Sequence, residues 1–390
     1  MKYPWVQSER VGCSRRAFLL GATGFAAAMS PIGSAAGAGI YDAPAALATM
    51  PGLKDHASAK GILFGTAIAP TKNNLSLSDP AYGSALVTEC NVFVAENAMK
   101  WGSLEATRGA LTFGGADAVA TFAERSGAKL RGHTLLWHQN VPGWVEPALG
   151  SGGAEAVIRK HIAEVVGRYK GRVHSWDVVN EGVGDAPVAR ADGLRTTPFL
   201  NALGPTYFDI AFDAAHQADP DAVLTYNDYN LEHGAPYNAT KRNNVLRLLE
   251  GLRKRNVPVQ ALGVQAHLHT GEMFVERDYA RFLNDIAQLG LKIFVTELDV
   301  DDRGAPMDVS ARDAQCADLV RAFLDVTLAQ KACTAVLTWG IADKISWLNL
   351  PPQPLRSDGA THRPTVLDDD LKRKPMWQAI ARSLLAAAAR

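Results

Sequence analysis

Ser175-Trp176-Asp177-Val178-Val179-Asn180-Glu181 is an apolar run too short for a helix, and it ends on two polar residues. Runs of this kind suit strands buried on both faces. Upstream, Ala154 to Tyr169 has helical amphipathic spacing, and downstream Tyr207 to Ala218 has it again. The alternation continues outward in both directions. Further strands are expected at Ile62 to Ala69, Val92 to Glu96, Lys129 to His138, Ala222 to Tyr229, Leu262 to Leu268, Ile293 to Asp299 and Ala335 to Ile341. Further helices are expected at Asp117 to Ser126, Lys241 to Arg255, Asp278 to Leu289 and Ala311 to Gln330. Strand and helix alternating over about 320 residues predict an α/β fold, a single-domain (β/α)8 TIM barrel of parallel strands.

The 390 residues are 47% hydrophobic and 21% charged, with forty basic residues balanced by forty acidic ones, the composition of a globular chain with ample core. Disorder, collagen and a multispan membrane protein are excluded. The body has no Lys/Arg run, so no electrostatic footprint for nucleic acid or an anionic membrane is expected. A small or uncharged partner fits better.

Residues 1–38 differ from the rest. Ser14-Arg15-Arg16-Ala17-Phe18-Leu19 leads a short Gly/Ala-rich apolar stretch and then Ala36-Gly37-Ala38, which together resemble an export signal of the twin-arginine type. Residues 39–60 read as a linker and N-terminal segment, and 61–385 as the barrel. The mature chain is expected in the periplasm or outside the cell, monomeric and without membrane attachment. Loss of the leader removes Lys2, Arg10, Arg15 and Arg16 against Glu9 and leaves a net charge of about −3. Cys13 lies in the leader, and Cys90, Cys316 and Cys333 are expected as buried, unpaired thiols, because such chains fold in a reducing cytosol before export. A bridge between Cys316 and Cys333 is disfavoured by the helix of about 20 Å expected between them.

The expected strand ends share a feature. They carry Glu96 and Asn97, His133 and Trp137, Asn180 and Glu181, Asn227 and Tyr229, Gln265 and His267, Glu297 and Asp299, and Trp339. Each alone could be a cap or an ion pair; together they converge on the C-terminal mouth where barrels of this kind build active sites. Glu181 and Glu297 end the fourth and seventh strands, on opposite sides of a cleft. Paired carboxylates there suit glycosidic cleavage, one protonating the leaving oxygen and the other attacking the anomeric carbon. Trp137, Trp144, Tyr229, Trp339 and Trp347 offer flat faces for sugar rings, while Trp101, Trp176 and Trp377 suit the core. No phosphate-binding loop, serine-nucleophile elbow or Cys/His metal spacing is present, and neither metal nor cofactor is expected.

Seven segments, in order, resemble glycoside hydrolase family 10 endo-β-1,4-xylanases: Glu96 to Trp101, Arg131 to His138, Trp176 to Glu181, Tyr226 to Asn230, Gly263 to Leu268, Thr296 to Asp299, and Trp339-Gly340 with Asp343 and Ser346-Trp347. The resemblance implies a retaining mechanism with Glu181 as acid/base and Glu297 as nucleophile, their carboxyl groups roughly 5–5.5 Å apart. It implies that Asn180 bonds the 2-hydroxyl of the cleaved sugar and that His267 orients Glu297 and is fixed by Asp299. Glu96, Asn97 and Lys100 would hold the next sugar on the non-reducing side. His133, Trp137, Gln265, Trp339 and Trp347 would wall the cleaved sugar, and Tyr229 would carry the leaving one. The implied partner is xylan or a xylo-oligosaccharide. The chain departs from the family at Gly182-Val183, where an Ala-aromatic pair is usual, and at Leu367 to Pro375, a loose match to an Asp-rich segment. A retaining β-1,4-glucan or mixed-linkage glucan hydrolase and a non-catalytic carbohydrate-binding barrel are the alternative readings.

Overall fold

A computed structural model of the protein describes residues 41–390 apart from Ala43 and Val188; the expected leader, with Cys13, lies outside the described residues. Strands β1 (Leu63–Ile68), β2 (Val92–Ala95), β3 (Lys129–Gly132), β4 (Val173–Asn180), β5 (Val223–Asp228), β6 (Ala261–Val264), β7 (Lys292–Asp301) and β8 (Cys333–Thr338) are each parallel to the next. The ring closes where β1 pairs with β8, Leu63 standing opposite Ala335. Helices α1 (Pro80–Glu89), α2 (Gly114–Arg125), α3 (Ala154–Arg168), α4 (Thr206–Ala218), α5 (Pro236–Lys254), α6 (Glu276–Gln288), α7 (Val309–Ala329) and α8 (Pro375–Ala386) follow the strands in turn. The expected TIM barrel is thus what the chain forms. Among the described residues no helix is long and apolar enough to cross a membrane.

The two-residue period of a strand divides the core in two. Val92 and Val94 of β2, and Ala335 and Leu337 of β8 followed by Trp339, join Ala67, Ala261 and Phe294 in one apolar cluster. Their neighbours Phe93, Ala95 and Val336 belong to the larger cluster that also contains the helices' buried faces. Trp101, Trp176 and Trp377 are buried there, as expected. Cys90, Cys316 and Cys333 are buried and free.

Side chains define where helices begin. Asp79 accepts the N–H of Tyr82 ahead of Pro80, and Asp308 accepts that of Ala311; both are N-caps that satisfy otherwise orphaned donors. α1 and α8 were not among the expected helices, nor was the short helix Leu53–Ser58, which occupies part of the stretch expected as linker and N-terminal segment. These three meet at buried Glu89, whose carboxylate accepts from Arg373 Nε (2.7 Å), Trp377 Nε1 (2.8 Å) and the N–H of Leu53 (2.9 Å). The Asp-rich segment is anchored similarly, with Lys374 Nζ 2.9 Å from Asp343.

Two features at the C-terminal ends matter for the site. The expected third and sixth strands are each broken, into Lys129–Gly132 and Leu136–Trp137 and into Ala261–Val264 and His267–His269. The register also slips between Asp177 and Val179 on β4 and between Val295 and Leu298 on β7. Such irregularities re-aim the side chains that follow them.

Candidate active site

Glu297 stands within the second of these slips, and Glu181 follows the first, just past the end of β4. Glu297 lies within β7 and is 5% exposed; Glu181 follows β4 and is 6% exposed. Glu181 has φ +56°, a left-handed conformation that costs a non-glycine residue about 1–3 kcal/mol and persists only where neighbours fix it. Its N–H donates to the carbonyl of Asn227 at 2.8 Å.

One amide network carries both carboxylates. Asn227 Nδ2 donates at 2.8 Å to Glu297 Oε1 and at 2.8 Å to Asn180 Oδ1. Asn180 Nδ2 and Gln265 Nε2 both reach Glu181 Oε1, at 3.2 and 3.1 Å. Thr296 Oγ1 donates to Asn227 Oδ1 at 2.7 Å, which fixes which end of the amide faces the glutamates. Room for that oxygen comes from Gly263, where a Cβ would stand 2.1 Å from it.

His267 Nε2 lies 3.4 Å from Glu297 Oε2, and its Nδ1 is 2.7 Å from Asp299 Oδ1. Asp299 Oδ2 in turn accepts from Trp347 Nε1 at 2.7 Å. Burial alone would push the Glu297 carboxyl up, but His267, His133 and Lys100 outweigh it and hold it down at about 2. Burial likewise opposes protonation of His267, and Asp299 and Glu297 overcome it, raising the imidazole well above its ordinary range. The result is an ionised Glu297 next to an imidazolium. Glu181 differs: its buried Oε2 has no hydrogen-bond partner among the described residues, nor has the indole N–H of Trp137.

On one side of this pair Glu96 is ion-paired with Lys72, and Lys100 Nζ donates to Asn97 Oδ1 at 2.9 Å while standing 4.6 Å from the Trp137 ring centre. Burial lowers the affinity of Lys100 for its proton, against Glu297, Glu96 and Glu181. His133 is held through Nδ1 by Asp177 at 2.9 Å and meets the Trp339 ring edge-on at 5.2 Å. On the other side Tyr229 is half-buried, its hydroxyl bonded to Asp185 and Arg195. A Cβ at Gly182 would lie 2.7 Å from the Phe208 ring.

Of the expected site residues, Asn180, Glu181, Gln265, Glu297, His267, Asp299 and Trp347 are joined through Asn227 in one network, and Lys100, Asn97, Trp137, His133 and Trp339 form a second set of contacts, while Glu96 pairs with Lys72 and Tyr229 with Asp185 and Arg195. Trp144 is not among them; it packs edge-on against buried Trp101 at 6.0 Å and donates to the Glu105 carbonyl. The sequence reading gave no role to Asn227, Lys72, Arg195 or Glu232, the last holding the N–H of Ala266 at 2.7 Å beside His267. Asp301, Asp302 and His362 bring donor atoms within 4.8 Å of one another. Arg303 and the N–H of Arg363 already occupy the two aspartates, and both nitrogens of His362 face acceptors, so this trio is an ion-pair cluster and not a ligand set.

The sequence profile of glycosyl hydrolase family 10 matches residues 52–383. The chain belongs to this family. Endo-1,4-beta-xylanase 1 of Humicola insolens is 34% identical over 329 residues, 83% of this chain and 71% of that protein. Among solved structures, native xylanase 10B of Thermotoga maritima superposes with a TM-score of 0.76 at 32% identity, covering 85% of this chain and 98% of that one. Xylanase 10B of Thermotoga petrophila, in complex with xylobiose, gives 0.75 at 32% identity over 86% and 97%. A family 10 chain with two buried carboxylates at a barrel mouth has the parts for hydrolysis of a glycosidic bond.

Proposed function

We propose that this family 10 glycoside hydrolase is an exported endo-1,4-β-xylanase that cleaves internal bonds of xylan with net retention. The observation that carries the reading is the asymmetry of the pair: Glu297 accepts from Asn227 at 2.8 Å and faces the His267 ring at 3.4 Å, while Glu181 keeps one buried oxygen without a hydrogen-bond partner among the described residues. Glu297 attacks the anomeric carbon as the Glu181 proton passes to the leaving oxygen, giving a glycosyl-enzyme. Esterification removes the negative charge of Glu297, so Glu181 then accepts a proton from the attacking water and acts as base. Asn180 bonds the 2-hydroxyl, and His267 and Asp299 keep Glu297 aimed. Glu96, Asn97 and Lys100 bind the neighbouring sugar; His133, Trp137, Gln265, Trp339 and Trp347 wall the cleaved one; Tyr229 carries the departing one. Residues 1–38 direct export, and the mature monomer acts in the periplasm or outside the cell.

Reducing-sugar release from arabinoxylan, glucuronoxylan and β-glucan, measured in parallel for wild type, E181A and E297A, tests the reading. Xylan cleavage by wild type and its loss in E297A are expected. Full activity in E297A would remove the nucleophile assignment, and cleavage of β-glucan without xylan would change the substrate. Retention in the cytosol when Arg15 and Arg16 are both replaced by lysine tests the export signal.

A further inference from the structure

The acid/base turn is held from one side by a single cation. Arg195 Nε donates to the carbonyl of Glu181 at 2.8 Å, and its Nη2 donates to Asp185 Oδ2 at 2.8 Å and meets the Tyr229 hydroxyl at 2.9 Å. The intervening loop folds back on itself to bring Arg195 there: the N–H of Arg195 donates to the Gly182 carbonyl at 2.9 Å, and Val183 forms a bridge with Leu194. Lys241 completes the set, its Nζ bonded to the Val183 carbonyl (2.9 Å), Asp185 Oδ1 (3.0 Å) and Asp228 Oδ1 (3.0 Å) and lying 4.4 Å from the Tyr229 ring centre. Two cations and two carboxylates therefore balance locally, and the Arg195 side chain is only 11% exposed.

We propose that Arg195 is the positioning residue of the acid/base: it pins Glu181 in its left-handed turn and fixes that turn to the Tyr229 face on which the departing sugar rests. The inference depends on the role given to Glu181 above. A guanidinium suits the task because its donors sit on separate nitrogens in a fixed plane, so Nε reaches the Glu181 carbonyl while Nη2 serves Asp185 and Tyr229; an ammonium carries all its donors on one atom.

The chemistry supplies a readout that general loosening of the fold does not move. When a xylose leaves, the breaking C–O bond needs the Glu181 proton on its oxygen while Glu297 bonds the anomeric carbon. When 2,4-dinitrophenolate leaves, the nitroaromatic takes the electron pair away without needing a proton. The test is kcat/KM of the full chain, its R195M and R195K variants, and E181A as reference, on xylotriose and on 2,4-dinitrophenyl β-xylobioside. Expected for R195M is a loss on the order of 10²-fold on xylotriose and within about threefold on the aryl glycoside, with R195K between wild type and R195M. Turnover of the aryl glycoside also reports that each variant is folded, and R195K is read by the same ratio should R195M fold poorly. A split between substrates in E181A with none in the Arg195 variants overturns the inference alone. No split in E181A overturns the role of Glu181 and this inference with it.

Discussion

Asn227 stands 2.8 Å from Glu297, and through the same amide nitrogen it stands 2.8 Å from Asn180, the residue joined to Glu181. Asn227 is fully buried, so neither bond competes with solvent. A hydrogen bond to a charged acceptor is worth about 1.5–3 kcal/mol. N227A is expected to lower kcat/KM on xylotriose by roughly 10- to 100-fold. N227D should be worse, because a carboxylate against Glu297 disfavours its ionised form. Steady-state kinetics on both variants check this, and an N227D enzyme as active as wild type would contradict it.

The space for Asn227 depends on Gly263, and G263A is expected to act through the amide. Its Cβ would fall 2.1 Å from Asn227 Oδ1, so either the amide or β6 must shift. The expected cost is about 1–3 kcal/mol of stability, with a fall in kcat comparable to that of N227A. The double variant should lose little more activity than either single one. Fully additive losses would show that Gly263 acts elsewhere.

The pH response follows from the imidazolium. Glu297 is held at about 2, against about 4.3 for an ordinary glutamate, principally by His267 once the opposing effect of burial is overcome. Its folded pKa is depressed, so its contribution to stability is present above about 4.3 and is lost as pH falls toward about 2. Asp299 is the main group keeping His267 protonated. D299N should therefore release Glu297 upward, moving the acid limb of the kcat/KM profile toward about pH 4.3. An unmoved acid limb in D299N would contradict the chain of dependence from Asp299 to Glu297.

Glu89 offers a stability prediction far from the chemistry. Removing it with E89A leaves Arg373 buried beside Trp377 without its counter-charge. Loss of one partner of a buried pair costs about 3–5 kcal/mol. Urea unfolding should show that loss, while kcat at a temperature where the variant is folded should stay within about twofold of wild type.

Strand positions were readable because parallel strands buried on both faces leave continuous apolar runs, as at Phe294-Val295 and Val178-Val179. The breaks in the third and sixth strands were not, because they lie in backbone geometry that composition does not mark: Ala266, with φ +62°, turns the chain between Val264 and His267 although alanine gives no sign of it. Helix α1 was obscured by its glycine and mixed small residues, which leave it almost no apolar stripe; α8 does carry an apolar face, but it follows β8 only after the long stretch from Trp339 to Lys374, which breaks the regular alternation. At the site, the glutamates and their aromatic walls stood out as costly residues at strand ends. Arg195 and Lys72 did not, since a cation in a loop looks like any solvated charge until folding places it against Glu181 or Glu96. Asn227 was visible at its strand end, but its bridging of β4 and β7 arises only when the closed ring brings the ends of those strands within reach of β5.

The closed ring of strands makes the Glu181–Glu297 gap a dimension of the frame. β5 and β6 separate the strands that carry the two residues, and neighbouring strands keep a spacing of about 4.8 Å set by backbone hydrogen bonds. The barrel thus works as a caliper locked at one opening. Changes in the loops can lengthen, shorten or recharge the cleft, and so alter which polymer enters it, without touching the setting on which the stereochemical outcome depends.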